Sequence, residues 1–269
     1  MAPYRAARRL LTPALALGLL AAGAASAATL PKPESLPDWV GTWQNQGGPE
    51  NNDVFDGSTS EPRGCTATRP PCREHPPYNK VWEAKYETNL KRALAGTMPD
   101  PLTKCYPRQT PGNMRTPETI EWVVRPEMTV IFVEDGSHVR RIFTDGRKHR
   151  TGKGGFLSFS GDSIGHWEGD TLVVETMNVL GEQMLDRSGA VVSSKAVFTE
   201  RMRRLSPVQM EDIITVTDPV SLTKPWVVRR LYKKVNGDVY DYACSENNRA
   251  KVDAEGTTHL LKTDGQILK

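Results

Sequence analysis

The chain has 269 residues, 38% hydrophobic and 25% charged, enough for one large β domain or two small ones. Its formal charge of +3 hints at nucleic acid or an anionic membrane, but Arg5, Arg8 and Arg9 alone supply it. They lie in a segment expected to be removed, the remainder is neutral, and the hint goes with them.

Residues 1–27 read as an export signal. The three arginines form a basic start, Leu10–Leu20 is an apolar stretch broken by Thr12, Pro13 and Gly18, and Ala25-Ser26-Ala27 is an A-x-A cleavage site. Leu10-Leu11-Thr12 after the paired arginines is a poor twin-arginine match, which favours ordinary secretory export. No later stretch approaches spanning length, so no integral membrane segment is expected. The location implied is periplasmic or secreted.

The mature chain then divides into an N-terminal extension (28–118), a β core (119–250) and a polar tail (251–269). Pro31, Pro33 and Pro37 mark an extended lead-in to a short strand at Trp39–Trp43. Residues 46–77 lack apolar periodicity and read as a long loop, functional or partly disordered. Trp82, Tyr86, Leu90 and Leu94 recur every four residues and predict a helix over about 78–96, with Gly96 as its C-cap. From 119 the pattern becomes strand-like, with expected strands at 119–125, 128–134, 137–144, 147–150, 156–159, 163–168, 171–179, 195–204, 208–217, 226–235 and 238–244. Asp135-Gly136, Asp145-Gly146, Gly169-Asp170 and Asn236-Gly237 suit hairpin turns. The fold class expected is all-β: an antiparallel meander closing into a lipocalin-like barrel, with one N-terminal helix.

Cys65, Cys72, Cys105 and Cys244 are four cysteines in an oxidising context, which allows three pairings. Cys65–Cys72 with Cys105–Cys244 is preferred: the first closes a short loop and the second ties the N-terminal region to the last strands. With no C-x-x-C pair, a metal site is not expected, and no cofactor is implied.

Two resemblances follow. Gly41-Thr42-Trp43 ahead of a meander resembles the lipocalin G-x-W start, in which the Trp packs across the barrel floor, although the excursion over 46–115 departs from lipocalins. The stretch 161–176, Gly-Asp-Ser-Ile-Gly-His-Trp-Glu-Gly-Asp-Thr-Leu-Val-Val-Glu-Thr, is similar to the hallmark of a large family of exported bacterial proteins without an agreed biochemical role. Residues 141–147, Thr217-Asp218-Pro219 with Lys224-Pro225-Trp226, and 244–249 match it too, so the likeness spans most of 78–250. That resemblance implies export and an all-β fold, and transfers no catalytic residue.

Two polar strips carry whatever chemistry the residues suggest. With Gly169-Asp170 as a two-residue turn, Ile164, His166, Glu168, Val173 and Glu175 share one face, and Gly165, Trp167, Leu172, Val174 and Thr176 share the other. His166, Glu168 and Glu175 are then candidate acid–base groups, or charges on a solvated outer face. With Asp145-Gly146 as a turn, His138, Arg140, Ile142, Thr144, Arg147 and His149 share a face. His138, Arg140, Arg147 and His149 become candidate ligand-binding residues for a carboxylate or phenolate, joined by Trp43 and Trp167; the plainer alternative is a hairpin tip standing in water.

The first functional expectation is an exported barrel that binds a small apolar or aromatic molecule, its partner a small-molecule ligand and not a nucleic acid. The alternative is a cofactor-free periplasmic acid–base enzyme, a lyase, isomerase or hydratase, in the same barrel. A third is an envelope protein that contacts a partner through 46–77. The oligomeric state is left open.

Overall fold

The computed structural model describes residues 30–46, 76–95, 97, 101–114, 118–185, 189–244, 250–252 and 258–260. The export signal, the 46–77 loop beyond its first and last residues, Gly96, Cys65 and Cys72 lie outside the described residues.

Nine strands close into one barrel in sequence order: β1 (Thr42–Asn45), β2 (Ile120–Val124), β3 (Met128–Val133), β4 (His138–Phe143), β5 (Asp162–Glu168), β6 (Thr171–Met177), β7 (Val197–Ser206), β8 (Gln209–Thr217) and β9 (Trp226–Val235). The short β1 closes it, pairing with β2 through Trp43↔Ile120 and with β9 through Thr42↔Val235. The first strand of the N-terminal extension is therefore part of the barrel wall. A separate two-stranded ribbon, β10 (Ala250–Val252) with β11 (Thr258–Leu260), lies toward the C-terminus.

The hairpin around Gly169-Asp170 has the expected register, with Glu168 opposite Thr171, His166 opposite Val173 and Ile164 opposite Glu175. Gly169 sits at φ +63°, the left-handed conformation that suits glycine in a tight turn.

Two expectations fail. The Asp145-Gly146 hairpin does not form: β4 and β5 run parallel, and 144–161 carries the chain between them without the strands expected at 147–150 and 156–159. Local side chains capture this segment. Asp145 accepts from the backbone N–H of Arg147 (3.2 Å) and from its guanidinium, while Asp162 accepts from the Arg150 N–H at 2.8 Å. These bonds satisfy groups that a ladder to β4 would have used. The strand expected at 238–244 is also absent. The free edge of β9 is already taken by β1, so a further strand has nothing to pair with.

Helix α1 (Lys80–Leu94) packs against one end of the barrel. Asn79 caps it, its Oδ1 accepting from the N–H groups of Val81 (3.1 Å) and Trp82 (3.2 Å). Trp82, Tyr86 and Leu90, at the expected spacing, are buried with Phe198, Ile214, Val216, Trp226 and Val228. The loop 189–196 is fastened to the same end by Asp218. Its buried carboxylate accepts from Ser193 N (2.7 Å), Ser193 Oγ (2.8 Å), Val220 N (3.0 Å) and Ser221 Oγ (2.6 Å). Burial alone would raise this carboxyl's pKa; the hydrogen bonds outweigh it and hold the group below the usual range.

The opposite end has a second apolar cluster: Trp39, Trp43, Met114, Ile120, Trp122, Ile131, Leu172, Val174, Met202, Met210 and Tyr232. Trp122 stands edge-on to both Trp43 (6.2 Å) and Tyr232 (5.2 Å). The disulfide Cys105–Cys244, with Cα atoms 5.7 Å apart, joins the segment after α1 to the chain beyond β9.

Candidate functional site inside the barrel

Each inward stripe of β7, β8 and β9 is apolar at both ends and charged in the middle. On β7 it reads Phe198, Glu200, Met202; on β8, Met210, Asp212, Ile214; on β9, Val228, Arg230, Tyr232. Alternation along a strand keeps such residues on one face; Asp212 is registered opposite Arg230, and Glu200 lies one inward position along from Met202, the residue opposite Asp212. Arg140 on β4, Ser163 on β5 and Thr176 on β6 complete a polar layer between the two apolar clusters. Arg140, Glu200 and Arg230 are each 0% exposed and Asp212 1%.

Arg140 and Glu200 form a bidentate pair: Arg140 Nη1 donates to Glu200 Oε1 at 3.0 Å, and Nη2 donates to Oε2. Nη2 also donates to Thr176 Oγ1 (2.9 Å), which shares a 2.8 Å hydrogen bond with Ser163 Oγ. Burial pulls the Arg140 pKa down, but Glu200, with Asp212 and Tyr232 beyond it, more than offsets this, so the guanidinium stays charged. Two arginines and two acids leave the layer with no net charge.

Gln109–Met114 enters this layer from outside the wall, and all six residues are buried. Three barrel side chains meet its main-chain carbonyls or its thioether. Arg230 Nη1 donates to the Pro111 carbonyl (2.9 Å), Tyr232 Oη to the Met114 carbonyl (3.3 Å), and Arg140 Nη1 to Met114 Sδ (3.0 Å). Gln109 Oε1 accepts from Gly181 N (3.0 Å). Gly112 lies so close to the following loop that a Cβ there would be 2.3 Å from the Leu185 carbonyl oxygen. Arg140 Nε, Asn113 Oδ1, Gln109 Nε2 and Thr129 Oγ1 are buried without a hydrogen-bond partner among the described residues.

The expected site residues separate into two groups. His138, Arg140, Trp43 and Trp167 belong to the barrel interior or its rim. His138 accepts or donates at 3.3 Å to Ser160 Oγ; burial first, then the nearby Arg140 charge, lowers its pKa to about 4, so it is neutral at pH 7. Trp43 donates to the Trp39 carbonyl at 3.1 Å, and Trp167 packs edge-on against Trp39 at 5.3 Å. The remaining candidates stand on the outer wall. His166 is 3.2 Å from Glu168, which also pairs with Arg201 at 2.8 Å. Arg147 is held by Asp145. His149 lies between Asp162 and Glu175, with each ring nitrogen 3.1 Å from a carboxylate oxygen. The two strips therefore meet only where His149 reaches Glu175, with His166 and Glu168 in a separate cluster, and the strip expected from 138 to 149 is divided by the missing hairpin.

Glu200, Asp212, Arg230 and Gln109–Met114 were not among the candidates. The first three had a readable signal, a lone charge in the middle of an alternating apolar stripe on each of three consecutive strands. Outside the barrel, a groove of about 320 Å³ between α1 and Glu182, Gln183, Met184 and Val191 is crossed by the Lys85–Glu182 ion pair (3.0 Å). Among the described residues no cluster of His, Cys, Asp and Glu suits a metal ion, and no helix is long and apolar enough to cross a membrane.

Two outcomes follow from this geometry. Glu200→Leu leaves Arg140 buried without its partner and should cost about 3–5 kcal/mol in urea unfolding, whereas Arg140→Met with Glu200→Leu should recover most of that loss; additive losses would contradict the pairing. His138 has its pKa depressed in the fold, so stability is complete above the unfolded value of about 6.5 and is lost as pH falls toward 4. Between pH 7 and pH 4 the wild type should lose about 3 kcal/mol relative to His138→Gln, and parallel curves would contradict the assignment. Comparison of the chain with protein-family models, with curated proteins and with solved structures finds no match, so the functional reading rests on this geometry.

Proposed function

We propose that the protein is exported and that its barrel binds a small, mainly apolar or aromatic molecule. The observation that carries the reading is the pairing of an aromatic wall with buried polar atoms that lack partners. Trp43, Trp122 and Tyr232 line the cluster on one side of the polar layer, while Arg140 Nε and Thr129 Oγ1 are buried without a hydrogen-bond partner among the described residues. A buried polar atom left unsatisfied costs about 1–3 kcal/mol, a cost that a bound molecule with one or two polar groups removes. Apolar walls with a few convergent polar groups are the usual make-up of a small-molecule site. Export is supported by the Cys105–Cys244 disulfide, a bond that persists in oxidising compartments, together with the signal-like N-terminus.

One observation favours the second reading, an acid–base lyase, isomerase or hydratase without a cofactor. His149 touches both Asp162 and Glu175, and Glu175 is half-exposed, so an imidazole is in line to pass a proton to a carboxylate that solvent reaches.

Native mass spectrometry of the mature protein purified from its own compartment separates the two. The binding reading expects a discrete extra mass that leaves on denaturation. A clean apo mass would contradict tight binding and favour an enzyme that releases its product.

A further inference from the structure

We propose that Gln109–Met114 is a removable insert standing in the guest's own place, and that the guest is a neutral aromatic molecule carrying a carbonyl-type acceptor oxygen. The inference rests on the barrel-binding reading and names the chemistry of that site.

The insert already shows what the layer recognises. Arg230 and Tyr232 each donate to a main-chain carbonyl of the insert, and Arg140 meets the Met114 thioether. All three acceptors are neutral. Charge balance points the same way: Arg140, Arg230, Glu200 and Asp212 sum to zero, so a charged guest would place an uncompensated charge in a dry interior. A ketone, ester or amide oxygen replaces the Pro111 and Met114 carbonyls without disturbing that balance. Beside the layer, Trp122, Met202 and Met210 supply an aromatic and thioether surface, and methionine adapts readily to varied shapes.

The insert is also a poor filler. Loops usually run over the surface, because buried backbone and polar side chains need partners. Here Asn113 Oδ1 and Gln109 Nε2 have none among the described residues, each a cost of about 1–3 kcal/mol. Just before the insert, the Arg108–Asp135 ion pair and the Cys105–Cys244 disulfide hold the chain to the barrel. The six residues therefore leave as a flap from a fixed base. Gly112 provides a lever, since any side chain there meets the Leu185 carbonyl and disfavours the seated insert. Asn113→Leu is the opposite lever: it replaces a buried amide, whose Oδ1 has no partner among the described residues and whose Nδ2 makes only a 3.2 Å bond to Thr110 Oγ1, with an apolar group of similar size.

The probe is 6-propionyl-2-dimethylaminonaphthalene, a neutral fluorescent aromatic ketone, set against the anionic 1-anilinonaphthalene-8-sulfonate. The ketone is expected to bind the wild-type mature chain at least about tenfold more tightly than the sulfonate, with Gly112→Val tighter still by about tenfold and Asn113→Leu weaker by about tenfold, because each variant shifts the fraction of open protein. In the wild type, bound ketone should speed hydrogen exchange at Thr110, Asn113 and Met114, whose N–H groups donate to Phe159, Gln109 and Pro111 carbonyls. That readout stands if Gly112→Val fails to fold. Ketone bound with those amides unchanged or slowed would overturn the insert proposal and leave barrel binding intact. A preference for the sulfonate would overturn the neutral-guest assignment. Failure of every folded protein to bind either probe, with the Gly112→Val insert amides exchanging freely, would remove both this proposal and the binding reading beneath it.

Discussion

Burying Arg140 beside Glu200 constrains the rest of the barrel. A guanidinium and a carboxylate taken fully out of water are tolerated only with close geometry and with their remaining donors and acceptors occupied. Strand pairing delivers that geometry. Ser163 and Thr176 are opposite one another across β5 and β6, Thr176 adjoins Phe198 on β7, and Glu200 follows two residues along on the same face. A one-residue slip anywhere in β5–β7 would turn one member outward and strand the other. The pair thus acts against misregistered barrels, a specifying role that holds whatever its net contribution to stability.

The polar layer also divides the interior. Toward α1, Trp82, Tyr86, Phe198, Ile214 and Trp226 make a core that seals one end. On the other side, Trp43, Trp122, Met202, Met210 and Tyr232 make a second core that borders the layer directly. A barrel designed only for stability would run one apolar core through both ends. Four charged side chains across the middle, met by two main-chain carbonyls and the Met114 thioether, give this interior the means to recognise a polar group. The outer wall does different work: Glu211 bridges Arg203 and Arg229 at 2.8 Å and 2.7 Å, and Glu168 bridges His166 and Arg201. Much of the arginine clustering in the sequence is therefore spent on neighbouring acids.

Where local chemistry and tertiary structure agreed, the sequence was legible. The four-residue spacing of Trp82, Tyr86 and Leu90 marked the buried stripe of α1, and Gly169-Asp170 set the register of β5 and β6 correctly to the residue. The core face Leu172, Val174 and Thr176 followed from that register, but whether His166, Glu168 and Glu175 faced solvent or the interior did not, because the turn fixes which residues share a face and not which face is inside. Asp145-Gly146 misled because a good turn dipeptide does not ensure that two strands follow; Asp162 and Asp145 captured the chain first. The site was less legible still. Arg140 was identified for its charge, but Glu200, Asp212 and Arg230 come from strands far along the chain, and only barrel closure makes them neighbours. Gln109–Met114 has no periodic signal, since its burial depends on the barrel around it.

The most direct test of the central claim, a polar interior layer that accepts a neutral acceptor group, is a high-resolution crystal structure of the protein purified with its natural contents. The account predicts a guest or ordered water within hydrogen-bonding distance of Arg140 Nε, with Arg140 and Glu200 paired beneath it. A layer closed entirely by protein atoms, with Arg140 Nε bonded to a side chain and no non-protein density beside Arg140 or Arg230, would contradict it.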